Sequence, residues 1–420
     1  MSDTTVDAEA SAHDVGSENS APRLKRLKIN KFRNVRPTEL VFDDDWNVLL
    51  GKNSTGKTTL LELIAATIRG DVGAFEGVDL DVEADLMLGP AQVKWSLKSV
   101  ESPSMEHVAA SFPGAIVRSA RRRFHAEFSR QSLPGVTVSG DEHGIDGLHG
   151  SRAISIAGDD ALFALMLMTK GSQILLSNKP THAVNAAFMS GDVQRFDEVL
   201  TLFNRIGPGG DLVISSSFNE QSLASPELVN AFRSVYQTAA ERIIVKHHQL
   251  PFLQRFVDLC DFSSASLHLE LLRRNASQEE PQAWFGRPSF LFRRRNGEEL
   301  REQHLSFGQK RLLSFLFYLT ISNPVIADEL VDGLHFDWIS ACVEATRGRQ
   351  KFFASQNPLL VDHMGFNTRA AVKSRFIRCS VEGDEMIWEN FTDAEADDFF
   401  VAYRTGIQGV SEVLRQKGLW

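Results

Sequence analysis

Apolar positions come in short blocks between glycine- and proline-rich turns, and none approaches the ~18 residues of a membrane-spanning helix. The longest, residues 161–168 and 312–321, have the length of buried core segments. Residues 24–32 (LKRLKINKF) and 39–42 read as two strands around a turn at Pro37, with 43–45 as a loop. Val48, Leu49 and Leu50 form an apolar run of the kind a buried strand shows, and residues 59–66 read as a helix with few breakers. Residues 94–97 and 212–215 have strand character, and 193–206 helical character. Ser225-Pro226 and Leu250-Pro251 mark helix starts, because proline suits the first helical position. Apolar residues at 290–292 lead into Asn296-Gly297, whose ready acceptance of positive φ marks a hairpin closed by 298–300. A helix with a broad apolar face follows over 309–321, then a turn at Asn323-Pro324 and a strand over 324–327.

The chain has 43% apolar and 24% charged residues, an ordinary globular composition, and its 420 residues allow two or three lobes. Five of its nine net negative charges lie at Asp3, Asp7, Glu9, Asp14 and Glu18, in a segment without Lys or Arg. Residues 1–22 therefore read as a disordered acidic leader, and the rest is only mildly acidic. Charge alone decides nothing about nucleic acid. The three cysteines, Cys260, Cys342 and Cys379, are odd in number and widely spaced. They predict no disulfide framework, no zinc site and a reducing, cytoplasmic setting. No secretory signal and no membrane span are expected.

The sharpest pattern is Gly51, Lys52, Asn53, Ser54, Thr55, Gly56, Lys57 and Thr58, the phosphate-loop sequence G-x-x-x-x-G-K-[ST]. It lies between an apolar strand and a helix that continues through Thr59, the context its chemistry needs. Successive loop amides and the helix N-terminus face phosphate oxygens, Lys57 reaches the outer phosphates, and the Thr58 hydroxyl suits Mg²⁺. Far downstream, Asp328 and Glu329 close the apolar strand 324–327. One carboxylate there suits the metal and the other an attacking water. A solvated acidic strand end is the alternative reading, and the upstream loop favours the catalytic one.

Leu305, Ser306, Phe307, Gly308 and Gln309 (LSFGQ) precede these acids. This pentapeptide resembles the signature motif of ABC-type ATPases, and the order of loop, signature and acid-ended strand is that family's order. The ending Gly333-Leu334-His335 and the opening Ile29-Asn30-Lys31-Phe32-Arg33-Asn34 are similar to the RecF/SMC/OLD-like branch. The resemblance covers about 30 motif residues, and more loosely 23–70 and 285–420. It implies an α/β ABC-ATPase head (a P-loop NTPase) with a mixed sheet, a helical signature lobe and a mixed α/β insertion. The implied segments are 23–100 as a first ATPase lobe, 101–240 as an insertion of unknown architecture, and 241–420 carrying the remaining motifs. The resemblance further implies ATP and Mg²⁺ as cofactors and a homodimer, or higher homo-oligomer, that sandwiches the nucleotide. Ser306, Gly308 and Gln309 of one copy would then complete the site on the other. Arg33 and Asn34 would lie near the base.

Two departures stand out. Ser54 occupies a loop position where many members have glycine, so a strained conformation is expected there. Gln356, within Ser355-Gln356-Asn357-Pro358, replaces the switch histidine and cannot carry a proton at neutral pH, which implies slow or partner-triggered hydrolysis. Gln92 and Gln131 are the candidates for the family's glutamine loop. The stretch between Thr58 and Ser306 is too long for a transporter ATPase. It is too short, and too poor in heptads, for SMC- or Rad50-like arms. No OLD-type nuclease domain is expected downstream of the switch. Its closing residues are similar to stand-alone ATPases of this branch, many of which serve anti-phage systems such as Septu and PARIS beside a nuclease or toxin. An ATP-gated switch or scaffold restraining such an effector is thus one expectation, and a DNA repair or maintenance ATPase is the other.

Weaker signals remain open. Arg118, Arg121, Arg122, Arg123 and Arg130 form the densest basic run, which reads either as a solvated face or as a nucleic-acid contact with Phe124 or Phe128 stacking on bases. Asp141, Glu142, His143, Asp146 and His149 crowd a glycine-rich loop in no standard metal pattern. His247 and His248, adjacent in an expected strand, would point to opposite faces.

Overall fold

The computed structural model describes residues 22–69, 75, 77–88, 91–101, 120–130, 133–141, 144–145, 212–215, 242–275, 282–285, 289–321, 324–355, 357–405 and 409–418. The acidic leader up to residue 21, the segment 193–206, Ser225, Gln131, Gln356 and the last two residues lie outside them. In chain order the first elements are β1 (Pro22–Phe32), β2 (Thr38–Val41), β3 (Trp46–Leu50), α1 (Lys57–Arg69), β4 (Leu80–Leu88) and β5 (Ala91–Glu101). Then come β6 (Ala120–Arg130), β7 (Leu133–Asp141), β8 (Gly144–Ile145), β9 (Leu212–Ser215), β10 (Arg242–Lys246), α2 (Pro251–Leu259) and β11 (Phe262–Asn275). β12 (Gln282–Phe285), β13 (Ser289–Arg294), β14 (Glu299–Arg301), α3 (Phe307–Ile321), β15 (Val325–Asp328), α4 (Phe336–Ala345) and β16 (Lys351–Ala354) follow. The last are α5 (Pro358–Val361), α6 (Arg369–Arg375), β17 (Phe376–Glu382), β18 (Glu385–Asn390), α7 (Asp393–Arg404) and α8 (Val410–Gln416).

These residues form two compact units. The first takes the described residues of Ser17–Gln194, Asn323–Glu329 and Gly348–Trp420. Its inner sheet has the order β15-β16-β3-β17-β18, parallel except for β18, which runs antiparallel to β17. β3, β15 and β16 are buried at every position, which is why their apolar residues run continuously rather than alternate. The second sheet, β2-β1-β4-β5-β6-β7-β8, pairs antiparallel throughout. One face is buried: Leu27 and Ile29 of β1, Val82 and Leu86 of β4, Val93 and Leu97 of β5, and Phe124 and Ala126 of β6 point inward. Leu60, Leu61 and Ile64 of α1 share a core with this face and with Ile326, Phe352 and Ile377 of the inner sheet.

A buried glutamine ties the two sheets together. Gln350 accepts from the Leu24 backbone N–H at 2.8 Å and donates to the carbonyls of Leu24 and Asp43, each at 2.8 Å. One residue on, Lys351 is buried under the Trp46 ring and bonds Asp45, while burial lowers its pKa. At the far edge the Asn390 amide imitates a strand. Its oxygen accepts from Val41 N–H at 2.8 Å and its nitrogen donates to Val41 O at 2.9 Å, covering β2.

The second unit takes the described residues of Arg195–Ser322 and Leu330–Arg347. Its sheet runs β14-β13-β11-β12-β9, with β10 also paired to β11. Phe256 of α2 packs against Phe262 and Phe292 of this sheet. The Asn-Gly hairpin forms as its sequence indicates, with Gly297 at φ +86°. His247 and His248 depart from expectation. They form a 3₁₀ turn with Gln249 rather than a strand, and their rings meet edge-on at 5.6 Å. No group of three or more His, Cys, Asp or Glu side chains placed to hold a metal ion occurs among the described residues. No helix among them is long and apolar enough to cross a membrane.

Candidate functional site

The phosphate loop joins the C-terminal end of β3, the middle strand of the parallel sheet, to α1. Ligands of open α/β sheets bind at this end of the strands. Lys52, Asn53 and Ser54 form its exposed tip, and Ser54 has φ +64°, the strained conformation expected at this position. Thr55 and Lys57 are buried, and Thr58 and Thr59 half-buried at the start of α1. Lys57 Nζ donates to the carbonyls of Gly51 at 2.8 Å and Lys52 at 2.9 Å, which curls the loop around its ammonium. Thr55 Oγ1 donates to Lys52 O at 2.9 Å.

Asp328 ends β15, two strands away. The residue is 3% exposed, and its carboxylate accepts a 2.6 Å hydrogen bond from Thr58 Oγ1. The structure thus brings together two residues 270 positions apart that the sequence assigned to one metal. A buried carboxylate and a hydroxyl at a loop that ends in a lysine fit Mg²⁺ with a polyphosphate. Glu329 follows, half-buried, at φ +50°, a conformation that costs a non-glycine residue about 1–3 kcal/mol. Its N–H donates to Ala354 O at 2.8 Å, so the ladder to β16 is completed before the chain turns. Gln356 itself is outside the described residues. Beside it, Ser355 Oγ accepts from Asn357 N–H at 3.0 Å, and Asn357 Oδ1 caps α5 through Leu359 N–H at 3.0 Å.

Arg33 follows β1 with φ +48° and lies over the rings of Phe32 and Phe75, at 5.3 and 5.4 Å from their centroids. The Asn34 amide donates to Asp384 O in the β17–β18 turn, so it holds that turn in this structure.

In the second unit Ser306 caps α3. Its Oγ accepts from Gln309 N–H at 3.2 Å, and its own N–H donates to Gln309 Oε1 at 2.9 Å. Gly308 lies against the turn before α4: a Cβ there would come within 2.5 Å of Gly333 O and 3.2 Å of Trp338. Phe307 and Phe336 flank this contact and are 53% and 59% exposed.

Sequence reasoning missed β18. Trp388, buried on that strand, donates from Nε1 to Thr55 O at 3.1 Å. A Cβ on Gly56, whose φ is +82°, would come within 2.5 Å of Met386 Sδ and 3.0 Å of the indole. Only glycine fits this approach. The local sequence around Trp388 carries no sign of it, because the partner is 333 residues away. One weak signal needs correction. Phe124 is 2% exposed in the core below the sheet and is not placed to stack on bases, because strand alternation turns it inward beside exposed Arg123. The side chains of Arg121, Arg122 and Phe128, and residues Glu142, His143, Asp146 and His149, lie outside the described set. Burial pushes the thiols of Cys260, Cys342 and Cys379 up to about 12, so none is a thiolate nucleophile at neutral pH.

Residues 23–86 match the AAA ATPase domain family. The DNA replication and repair protein RecF of two Haemophilus influenzae strains is 49% identical over 41 residues, a match spanning 10% of this chain and 11% of those relatives' length. Among solved structures, the SMC head domain from Thermotoga maritima is 11% identical, covering 88% of this chain and 99% of that one, with a TM-score of 0.36. An SMC head bound to the C-winged helix domain of ScpA is also 11% identical, covering 88% and 97%, with a TM-score of 0.40. Those likenesses are of broad outline. With a phosphate loop on the middle strand of a parallel sheet and an acid-ended strand bonded to the helix that follows it, the chain has the mixed α/β fold of a P-loop ATPase.

Proposed function

We propose that this chain binds and hydrolyses ATP with Mg²⁺ and works as an ATP-gated switch. The observation that carries the reading is the 2.6 Å bond between Thr58 and Asp328 at the foot of a glycine-hinged loop. Loop residues Gly51 to Thr59 and the Lys57 ammonium would hold the phosphates, and Thr58 and Asp328 the metal. Bound Mg²⁺ would neutralise charge on the outer phosphate oxygens. Glu329 would polarise the attacking water, and Gln356 would report the γ-phosphate without taking a proton. Arg33 would offer its exposed face to the base, and Asn34 would lie beside it.

Ser306, Gly308 and Gln309 would complete the site of a second copy, so ATP would close a dimer and hydrolysis would open it. The exposed Phe307 and Phe336 beside that loop support a surface that becomes covered. Such a switch suits a partner effector, a nuclease or toxin in anti-phage defence. The likeness of 41 residues to RecF favours a second reading of equal standing, a DNA repair or maintenance ATPase that contacts DNA directly. Steady-state turnover separates the readings. The first expects stimulation by a partner or phage trigger and none by DNA. The second expects stimulation by DNA that is lost when Arg121, Arg122 and Arg123 are neutralised. A Glu329→Gln variant with unchanged turnover would defeat the catalytic assignment in both.

A further inference from the structure

Trp388 is the largest fully buried side chain among the described residues, and no described segment of the phosphate loop shares its strand. It grips that loop all the same. The indole N–H holds the Thr55 carbonyl at 3.1 Å, and the ring fills the space beside Gly56. The strand register adds a second grip. Trp388 pairs with Cys379 across β18 and β17, and the Cys379 carbonyl lies 2.2 Å from where a Gly51 Cβ would stand. Two paired residues thus hold the two ends of the loop. Behind the indole lies Phe32, ring centroids 6.3 Å apart, and Phe32 carries the Arg33 guanidinium over its face. Trp388 O also accepts from Thr38 Oγ1 at 2.8 Å, which fixes the strand itself.

We infer that Trp388 is a positioning residue of the phosphate loop. The peptide after Thr55 is planar and trans, so a carbonyl held toward β18 turns the Gly56 N–H to the opposite side. The loop amides are then set in place before any anion arrives, and binding does not have to order them. This rests on the reading that the loop takes nucleotide phosphates.

The test uses the full chain and Trp388→Phe, which keeps a smaller aromatic ring and removes the N–H. The expected result is ATP affinity about tenfold weaker by calorimetry, the scale of one lost buried hydrogen bond. The melting temperature without nucleotide should stay within a few degrees of the wild type. At saturating Mg²⁺-ATP the turnover of the variant should approach that of the wild type, so that the defect lies in KM rather than kcat. A purely structural tryptophan would lower the melting temperature and leave the affinity and KM of the folded fraction intact. Wild-type chain labelled with ¹⁵N-indole tryptophan asks the same question without a substitution: the Trp388 indole N–H, identified by its loss in Trp388→Phe, must be protected from hydrogen exchange before ATP is added. A wild type that binds no ATP defeats the nucleotide reading and this proposal with it. A wild type that binds, beside a variant that binds equally tightly or an indole N–H that exchanges freely without nucleotide, defeats the positioning role alone.

Discussion

Thr58 Oγ1 donates a 2.6 Å hydrogen bond to Asp328 Oδ2, joining the first turn of α1 to the end of β15 across two strands of the parallel sheet. The pair is part-buried, so its geometry is held by the fold rather than by solvent-exposed chance. Asp328→Asn keeps the size of the side chain and removes its charge. It is expected to weaken the Mg²⁺ dependence of ATP binding by on the order of 10- to 100-fold while sparing metal-free binding. Calorimetry with and without Mg²⁺ measures this, and an unchanged Mg²⁺ dependence would contradict the metal role.

Gly308 offers a separate handle on the signature loop. A methyl group there must displace Gly333 O, 2.5 Å away, which is backbone and yields poorly. Gly308→Ala should cost about 1–3 kcal/mol, seen as a lower melting temperature. In the proposed shared site, where this loop would act on the nucleotide of another copy, ATP affinity at the phosphate loop should be unchanged while hydrolysis falls. Hydrolysis equal to wild type in this variant would remove the signature from the reaction.

Gln350 predicts a stability effect away from any site. Replacing it by alanine strips partners from Leu24 N–H, Leu24 O and Asp43 O, the first two in a buried setting. The expected loss is about 2–4 kcal/mol by denaturant titration. A change below about 0.5 kcal/mol would mean that water replaces the amide there.

Glu395 sets part of the acid response. Burial raises its pKa, but the Thr392 N–H and hydroxyl and the Arg378 charge outweigh this and hold it below the usual carboxylate range. A depressed folded pKa gives stability that is present above the unfolded value, 4.5, and lost as pH falls through the folded one. Glu395→Gln retains the reach of the helix cap and removes this titration. Below about pH 4.5 its stability should fall less steeply than the wild type's. Parallel curves would show that the carboxylate contributes nothing.

The parts legible in the sequence were those with a local cause. The loop Gly51 to Thr58, the apolar strands on either side of it and the Asn296-Gly297 turn each carry their reason within a few residues. The strain at Ser54 could be anticipated because one glycine was missing from a known pattern. Asp328 was assigned to the metal from its place after an apolar strand, and the structure sets its carboxylate against the Thr58 hydroxyl. What stayed hidden depends on distant pairing. Nothing near Trp388 announces Thr55, and nothing near Gln350 announces Leu24. Strand alternation, invisible until the register of β5 and β6 is known, decides that Phe124 faces the core. His247 and His248 form a 3₁₀ turn because the Gln249 side chain accepts from Lys246 N–H at 2.9 Å and pulls the chain round.

The shared nucleotide site is tested by the solution mass of the Glu329→Gln chain with and without Mg²⁺-ATP, measured by light scattering. The expected result is a 46.8 kDa monomer without nucleotide that doubles in mass when ATP and Mg²⁺ are added, and stays a monomer when Gly308→Ala is added to the variant. A chain that binds ATP yet remains at 46.8 kDa at every concentration tried would contradict the shared nucleotide site.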